Sequence, residues 1–124
     1  MSVAGILSGR NILVVEDDFF VADELERNLN DAGAEVIGPF SRIDDAIETL
    51  RLRVGAISAA VLDVNIGGGT IYPLATKLRE AGIPFIFATG YDARAIPDQF
   101  SAVQRLVKPV ARQRLVGALE NITR

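Results

Sequence analysis

The strongest constraint on this chain is an alternation of short runs rich in β-branched and aromatic residues with longer segments of helical periodicity. Asn11 to Val15 is a continuous apolar run, the pattern of a strand buried on both faces. In the helix predicted after it, Asp18 is a candidate cap, Val21, Leu25 and Leu29 share one face, and Gly33 is the stop. Ala34 to Gly38 reads as a second strand with Pro39 as punctuation. Ser41 followed by Asp44 has the form of a capping box, opening a helix that buries Ile43, Ala46, Ile47 and Leu50. The third strand, Ala59 to Leu62, leads into the glycine-rich loop from Asn65 to Gly69. Thr70 is then a candidate cap, Pro73 fits the first helical turn, and Leu74 and Leu78 face inward before Gly82. Pro84 to Ala88 is the fourth strand and Ala102 to Val107 a weaker fifth. Leu115, Leu119 and Ile122 line a closing helix.

Tyr91 to Ser101 is the least regular segment. Pro97 falls in its middle, where a proline costs a helix ~3 kcal/mol and a hydrogen bond, so a short, frayed or two-piece fourth helix is expected. Five βα units with right-handed crossovers predict an α/β fold, a doubly wound five-stranded parallel sheet of order 2-1-3-4-5. In such a sheet the functional site lies at the carboxyl ends of the strands.

Those ends carry chemistry. Glu16, Asp17 and Asp18 follow the first strand, Asp63 the third, Thr89 the fourth and the pair Lys108-Pro109 the fifth. An acidic triplet alone is as readily a solvated loop with a helix cap, and a lone Asp63 as readily a capping residue in a turn. Two adjacent central strands ending in the same way favour a site, and Asp18 keeps the capping role, since acids suit a helix amino terminus. Converging carboxylates repel one another unless a cation joins them. The sequence has no Cys and no His, so hard oxygen ligands remain, and these point to Mg²⁺, with Mn²⁺ as the other choice.

A carboxylate can attack phosphorus to give an aspartyl phosphate. The obstacle is an anion approaching an anion, which a divalent ion and an ammonium offset. Asp63 is the candidate acceptor and Lys108 the candidate ammonium, a compact charge on a flexible stem. Thr89 offers a hydroxyl to a phosphoryl oxygen, although alone it reads equally as a strand-end threonine. Gly90 leaves room beside it.

Composition narrows the alternatives. At 124 residues and 49% hydrophobic, the chain is one domain that can bury a core, with no apolar stretch near the ~20 residues of a membrane span. A net charge of −3 without a basic run gives no footprint for nucleic acid. Met1 to Leu7 lacks the basic region of a signal peptide, and the absence of Cys fits a cytoplasmic protein. Without His the chain cannot form a phosphohistidine of its own.

The runs Leu13-Val14-Val15-Glu16-Asp17, Val61-Leu62-Asp63, Phe87-Ala88-Thr89-Gly90 and Val107-Lys108-Pro109 together resemble the receiver domain of two-component response regulators, over Asn11 to Ile122. The resemblance implies a flavodoxin-like (βα)5 fold and a phosphoprotein that catalyses only its own phosphorylation and dephosphorylation, not a conventional enzyme. It implies Asp63 as phosphoacceptor, Asp17 as a direct Mg²⁺ ligand, Glu16 acting through water and the Asn65 backbone carbonyl completing the metal site. Thr89 then matches the switch hydroxyl and Lys108 the conformational lysine. The implied donor is the phosphohistidine of a sensor histidine kinase or a phosphotransfer protein.

Pro84 to Tyr91 is further similar to the stand-alone FAT GUY receivers, a group associated with HWE-type kinases. Two positions depart from the family pattern. Where an aromatic switch residue is usual, three before the lysine, stands Arg105, and two after the lysine stands Val110. An arginine cannot bury itself as a ring does. The switch candidates are therefore Thr89, Tyr91 and Arg105, and phosphorylation is expected to order the segment 90–104.

Residues 1–10 are expected to be an N-terminal extension and 11–124 the receiver domain, with no output domain, acting as a monomer or weak dimer. Output would then be by contact, through the face formed by the fourth helix, the fifth strand and the last helix, where Val103, Val110 and Val116 are either contacts or core. The competing reading is a phosphorylation-independent interaction module with a degenerate receiver fold. A haloacid-dehalogenase-like phosphatase needs a second Asp where Asn65 stands, and a flavin carrier needs a phosphate cradle where Glu16-Asp17-Asp18 would repel one.

Overall fold

A computed structural model describes residues 4–66, 70–90 and 96–124. The strands are β1 (Asn11–Val15), β2 (Glu35–Phe40), β3 (Ala59–Asp63), β4 (Phe85–Thr89) and β5 (Arg105–Val107). The helices are α1 (Phe19–Asp31), α2 (Ile43–Arg53), α3 (Tyr72–Glu80) and α4 (Arg112–Ile122). The strands form one parallel five-stranded sheet of order β2-β1-β3-β4-β5, as the alternating pattern predicts.

Strand periodicity divides the core into two layers. Leu13, Val15, Ala60, Leu62, Phe85 and Phe87 face α2 and α3, packing on Ala46, Leu50, Leu74, Ala75 and Leu78. Ile12, Val14, Ala59, Val61, Ile86 and Ala88 face the other way, onto Leu25 and Leu29 of α1 and Leu115, Val116 and Leu119 of α4. Leu7, before the first strand, is fully buried in this second layer, and its amide donates to the Ala32 carbonyl at 2.8 Å. Each such fully buried aliphatic side chain contributes roughly 1.5–3 kcal/mol.

Several local features differ from the sequence pattern. β2 does not stop at Gly38 but continues through Pro39 to Phe40, which its position at the sheet edge allows. The Gly38–Pro39 and Lys108–Pro109 peptide bonds are both cis. The N-cap of α2 is Arg42, with no side-chain cap, so Ser41 stands one residue too early to form a capping box with Asp44. Thr70 is likewise displaced by Ile71 as the N-cap of α3, while Pro73 occupies the first turn.

Between β4 and β5 the described residues hold a three-residue 3₁₀ turn, Asp98–Phe100, with Pro97 as its N-cap. The amides of Phe100, Ser101 and Val103 bond back to Pro97, Asp98 and Phe100, so β5 starts only at Arg105. Phe100 anchors this turn. It is 1% exposed, stacks on Tyr72 at 5.6 Å, meets Phe87 edge-on at 6.1 Å and carries the Arg79 guanidinium over its ring at 4.7 Å. Arg79 also donates to the Gln99 carbonyl. The first half of the expected fourth helix and the switch candidate Tyr91 lie outside the described residues, as do Gly67–Gly69 of the loop.

Candidate functional site

Parallel register brings the strand ends together. Val15 pairs with Leu62, Asp63 with Ala88 and Thr89 with Val107, so Glu16, Asp63, Thr89 and Lys108 all stand at one edge of the sheet. Oxygens of Glu16, Asp17 and Asp63 lie within 4.8 Å of one another. Glu16 and Asp63 are each 2% exposed, whereas Asp17 opens to solvent. The Lys108 ammonium reaches between the two buried acids, 2.7 Å from Glu16 Oε1 and 3.3 Å from Asp63 Oδ1.

The backbone sets these side chains. The Asn65 amide donates to Asp63 Oδ1 at 3.0 Å, and the Asp18 amide donates to Glu16 Oε2 at 3.1 Å. The Asp18 carboxylate instead accepts from the amides of Phe20 and Val21, at 2.9 and 3.1 Å, and so caps α1. Thr89 is buried, and its hydroxyl donates to the Gly90 carbonyl at 2.7 Å, while its own carbonyl accepts from the Lys108 amide at 2.7 Å. Arg105, at the start of β5, is exposed and pairs in the ladder with Phe87.

The electrostatics are those of crowded acids. Burial, then repulsion from Glu16, outweigh the Lys108 charge and push the Asp63 carboxyl up to about 7. Burial opposes the charge on Lys108, but its close pairing with Glu16 and the attraction of both acids together hold its pKa above the ordinary value. Glu16 Oε1 is buried and, although the ammonium lies beside it, receives no well-directed hydrogen bond. A cluster of hard oxygens with an under-satisfied buried carboxylate suits a hydrated divalent cation such as Mg²⁺, which needs only one or two carboxylates. Glu16, Asp17 and Asp63 are the residues placed to hold it.

Of the valines open to either role, Val110 and Val116 belong to the core, at 9% and 1% exposure. Three further features carry no signal in the sequence. The exposed valine on this face is Val107. Phe19 and Phe20 stand exposed at the start of α1, and Phe19 lines a cavity of about 290 Å³ with Glu16, Asp17, Asp23, Glu26, Pro39 and Ser41. On the opposite side, Arg112 of α4 donates to Asn28 and pairs with Asp31, tying the last helix to α1. A single exposed valine, two adjacent phenylalanines and a lone arginine give no periodic signal that would have revealed these roles.

The family model for the response regulator receiver domain matches residues 12–120. The chain is similar to the solution structure of SdrG from Sphingomonas melonis Fr1, with 32% identity and a TM-score of 0.75, covering 96% of this chain and 98% of that one. The BeF3-activated conformation of SdrG, from Pseudomonas melonis Fr1, matches at 32% identity and a TM-score of 0.74, covering 94% and 98%. A response regulator receiver protein from Sinorhizobium medicae WSM419 matches at 25% identity and a TM-score of 0.78, covering 92% and 94%. No curated protein matches the chain. Among the described residues, no helix is long and apolar enough to cross a membrane.

Proposed function

Since this chain belongs to the response regulator receiver domain family, signalling domains that interact with histidine kinases and downstream effectors, we propose that it accepts a phosphoryl group on Asp63 and signals through the surface that changes in response. The observation that carries this reading is the Lys108 ammonium set between Glu16 and Asp63, with Asp17 completing the acidic cluster. Glu16, Asp17, Asp63 and the Asn65 carbonyl would hold Mg²⁺, Asp17 directly and Glu16 through water. When bound, the cation offsets the charge of the incoming phosphoryl oxygens.

The chain's own groups do the rest. The Asn65 amide and Lys108 both engage Asp63 Oδ1, which leaves Oδ2 to attack. The Oδ2–P bond forms as the P–N bond of a donor phosphohistidine breaks, and the electron pair leaves with the imidazole. Lys108 then turns from the carboxylates to a phosphoryl oxygen, and the Thr89 hydroxyl leaves the Gly90 carbonyl to donate to another. The Thr89 movement pulls on the chain that follows it, so the signal is read out in the segment 90–104, with Phe100 as a fixed point within it.

The motif Phe87-Ala88-Thr89-Gly90-Tyr91 supports the FAT GUY subgroup and an HWE-type kinase as donor. The absence of Cys supports a cytoplasmic location. Residues 96–104, β5 with exposed Val107, and α4 are the surface we assign to the effector. The test is acetyl phosphate with Mg²⁺: the protein gains an acid-stable, hydroxylamine-labile phosphate, and Asp63→Asn does not. A protein that takes no label under conditions that label other receivers is instead a phosphorylation-independent interaction module.

A further inference from the structure

The register of β1 and β2 contains one irregularity, and it sits beside the acidic site. Asn11, Ile12 and Leu13 pair one for one with Glu35, Val36 and Ile37, but Val15 then pairs with Phe40. Two steps along β1 are matched by three along β2, so β2 carries one extra residue, a bulge. Side-chain parity agrees. Residues three apart in a regular strand point to opposite faces, yet Ile37 and Phe40 both pack into the layer beneath α2 and α3.

Gly38 makes the extra residue possible. Its φ is +104°, and a Cβ there would lie 2.8 Å from the Phe40 nitrogen and 2.9 Å from the Val14 carbonyl oxygen. Both atoms are backbone of the two paired strands and cannot swing aside as a flexible side chain could. Through the bulge, the Phe40 carbonyl accepts from the Glu16 amide at 2.9 Å. In a regular ladder, Phe40 would stand one residue, ~3.3 Å, further along the strand axis and past that amide. The held residue is the first of the acidic loop, its carboxylate in turn accepts from the Asp18 amide, and Pro39 and Ser41 line the cavity beside Glu16 and Asp17.

We infer that Gly38 is a positioning residue for the acidic site: the extra residue it permits in β2 sets the Phe40 carbonyl on the Glu16 amide and so fixes the loop that presents Glu16 and Asp17. The inference rests on the reading of those acids as a Mg²⁺ site. Gly82 provides a matched control. It also has positive φ, +74°, but a Cβ there meets nothing within 4 Å. Gly82→Ala therefore carries the backbone cost of a side chain without touching the site.

The experiment measures Mg²⁺ binding by calorimetry and thermal stability on the full chain. Gly38→Ala weakens Mg²⁺ about tenfold, the size of effect that groups orienting a ligand have. Gly82→Ala loses the smaller stability that positive φ alone costs and keeps the wild-type affinity. Gly38→Asn, whose backbone tolerates positive φ better but which keeps the Cβ, shows the same weakening and serves if the alanine variant does not fold. A wild-type chain that binds no Mg²⁺ refutes the cation reading itself. Wild type and Gly38 variants binding equally well refute the role of Gly38. Failure of both Gly38 variants to fold also overturns it, making the bulge a requirement of the sheet rather than of the site.

Discussion

Lys108 and Glu16 form the closest ion pair of the site, Nζ to Oε1 at 2.7 Å, with Glu16 almost wholly buried and the lysine partly so. The same ammonium is 3.3 Å from Asp63, so without a cation one positive charge stands between two buried acids. Lys108→Ala leaves those acids uncompensated and is expected to destabilise the metal-free protein by about 3 kcal/mol, the lower end for breaking a buried pair because the lysine is partly solvated. Mg²⁺ supplies the missing charge, so saturating Mg²⁺ raises the melting temperature of Lys108→Ala by more than that of the wild type. Equal Mg²⁺-induced shifts in the two proteins would show that Lys108 does not neutralise the cluster.

Asp63 makes stability depend on pH in an unusual direction. Its folded-state pKa is raised to about 7, chiefly by burial and then by Glu16, whereas an unfolded aspartate titrates near 3.8. Between those values the folded state binds the extra proton, so the metal-free protein loses stability as pH rises from about 4 and levels off above about 7. Lys108 stays charged across this window and contributes no slope. Asp63→Asn removes the penalty, and the variant is expected to exceed the wild type by about 1–3 kcal/mol at pH 8 and by much less at pH 5. Urea denaturation across this range without divalent cations checks it, and a wild type that gains stability towards pH 8 contradicts it. Mg²⁺ affinity has the opposite trend, rising with pH as the carboxylate deprotonates.

Phe100 carries the segment between β4 and β5. Buried at 1% exposure among Tyr72, Phe85 and Phe87, with Arg79 above its ring, it is the one buried side chain among the described residues between β4 and β5. Phe100→Ala is expected to cost about 3–5 kcal/mol. Exchange of the amides of Phe100, Ser101 and Val103 is expected to rise above that of the β3 amides. Uniform exchange in the variant would mean that the turn is held elsewhere.

The sheet order and the location of the site were legible because the central strands are buried on both faces. Ile12 to Val15 and Ala59 to Leu62 therefore read as unbroken apolar runs, and the polar residue ending each run stands out. What was not legible depended on one-residue offsets. Ser41 and Thr70 are good capping residues placed one position before the N-caps Arg42 and Ile71. Pro39 looked like a strand terminator, but an edge strand with a bulge passes through it. The extent of β5 was overread because the amide of Val103 is already committed to the turn built on Phe100. The Glu16–Lys108 pairing joins residues far apart in the chain and becomes visible only when β4 and β5 are in register.

The three consecutive acids after β1 have separable roles, which paired substitutions test. Asp18 accepts from the Phe20 and Val21 amides and caps α1, so Asp18→Ala is expected to cost about 1 kcal/mol, Asp18→Asn little, and neither to change Mg²⁺ affinity by more than about twofold. Asp17 is exposed, so Asp17→Asn is expected to leave stability within about 0.5 kcal/mol of wild type, as surface substitutions do. It removes a charge from the cation cluster, however, and is expected to weaken Mg²⁺ by at least tenfold. Glu16→Gln lies between them: it keeps the side-chain shape but breaks the pair with Lys108, so it loses both stability and Mg²⁺ affinity. Calorimetric titration beside thermal denaturation of the same samples separates the three. A stable Asp17→Asn protein that binds Mg²⁺ as well as wild type would remove Asp17 from the ligand set.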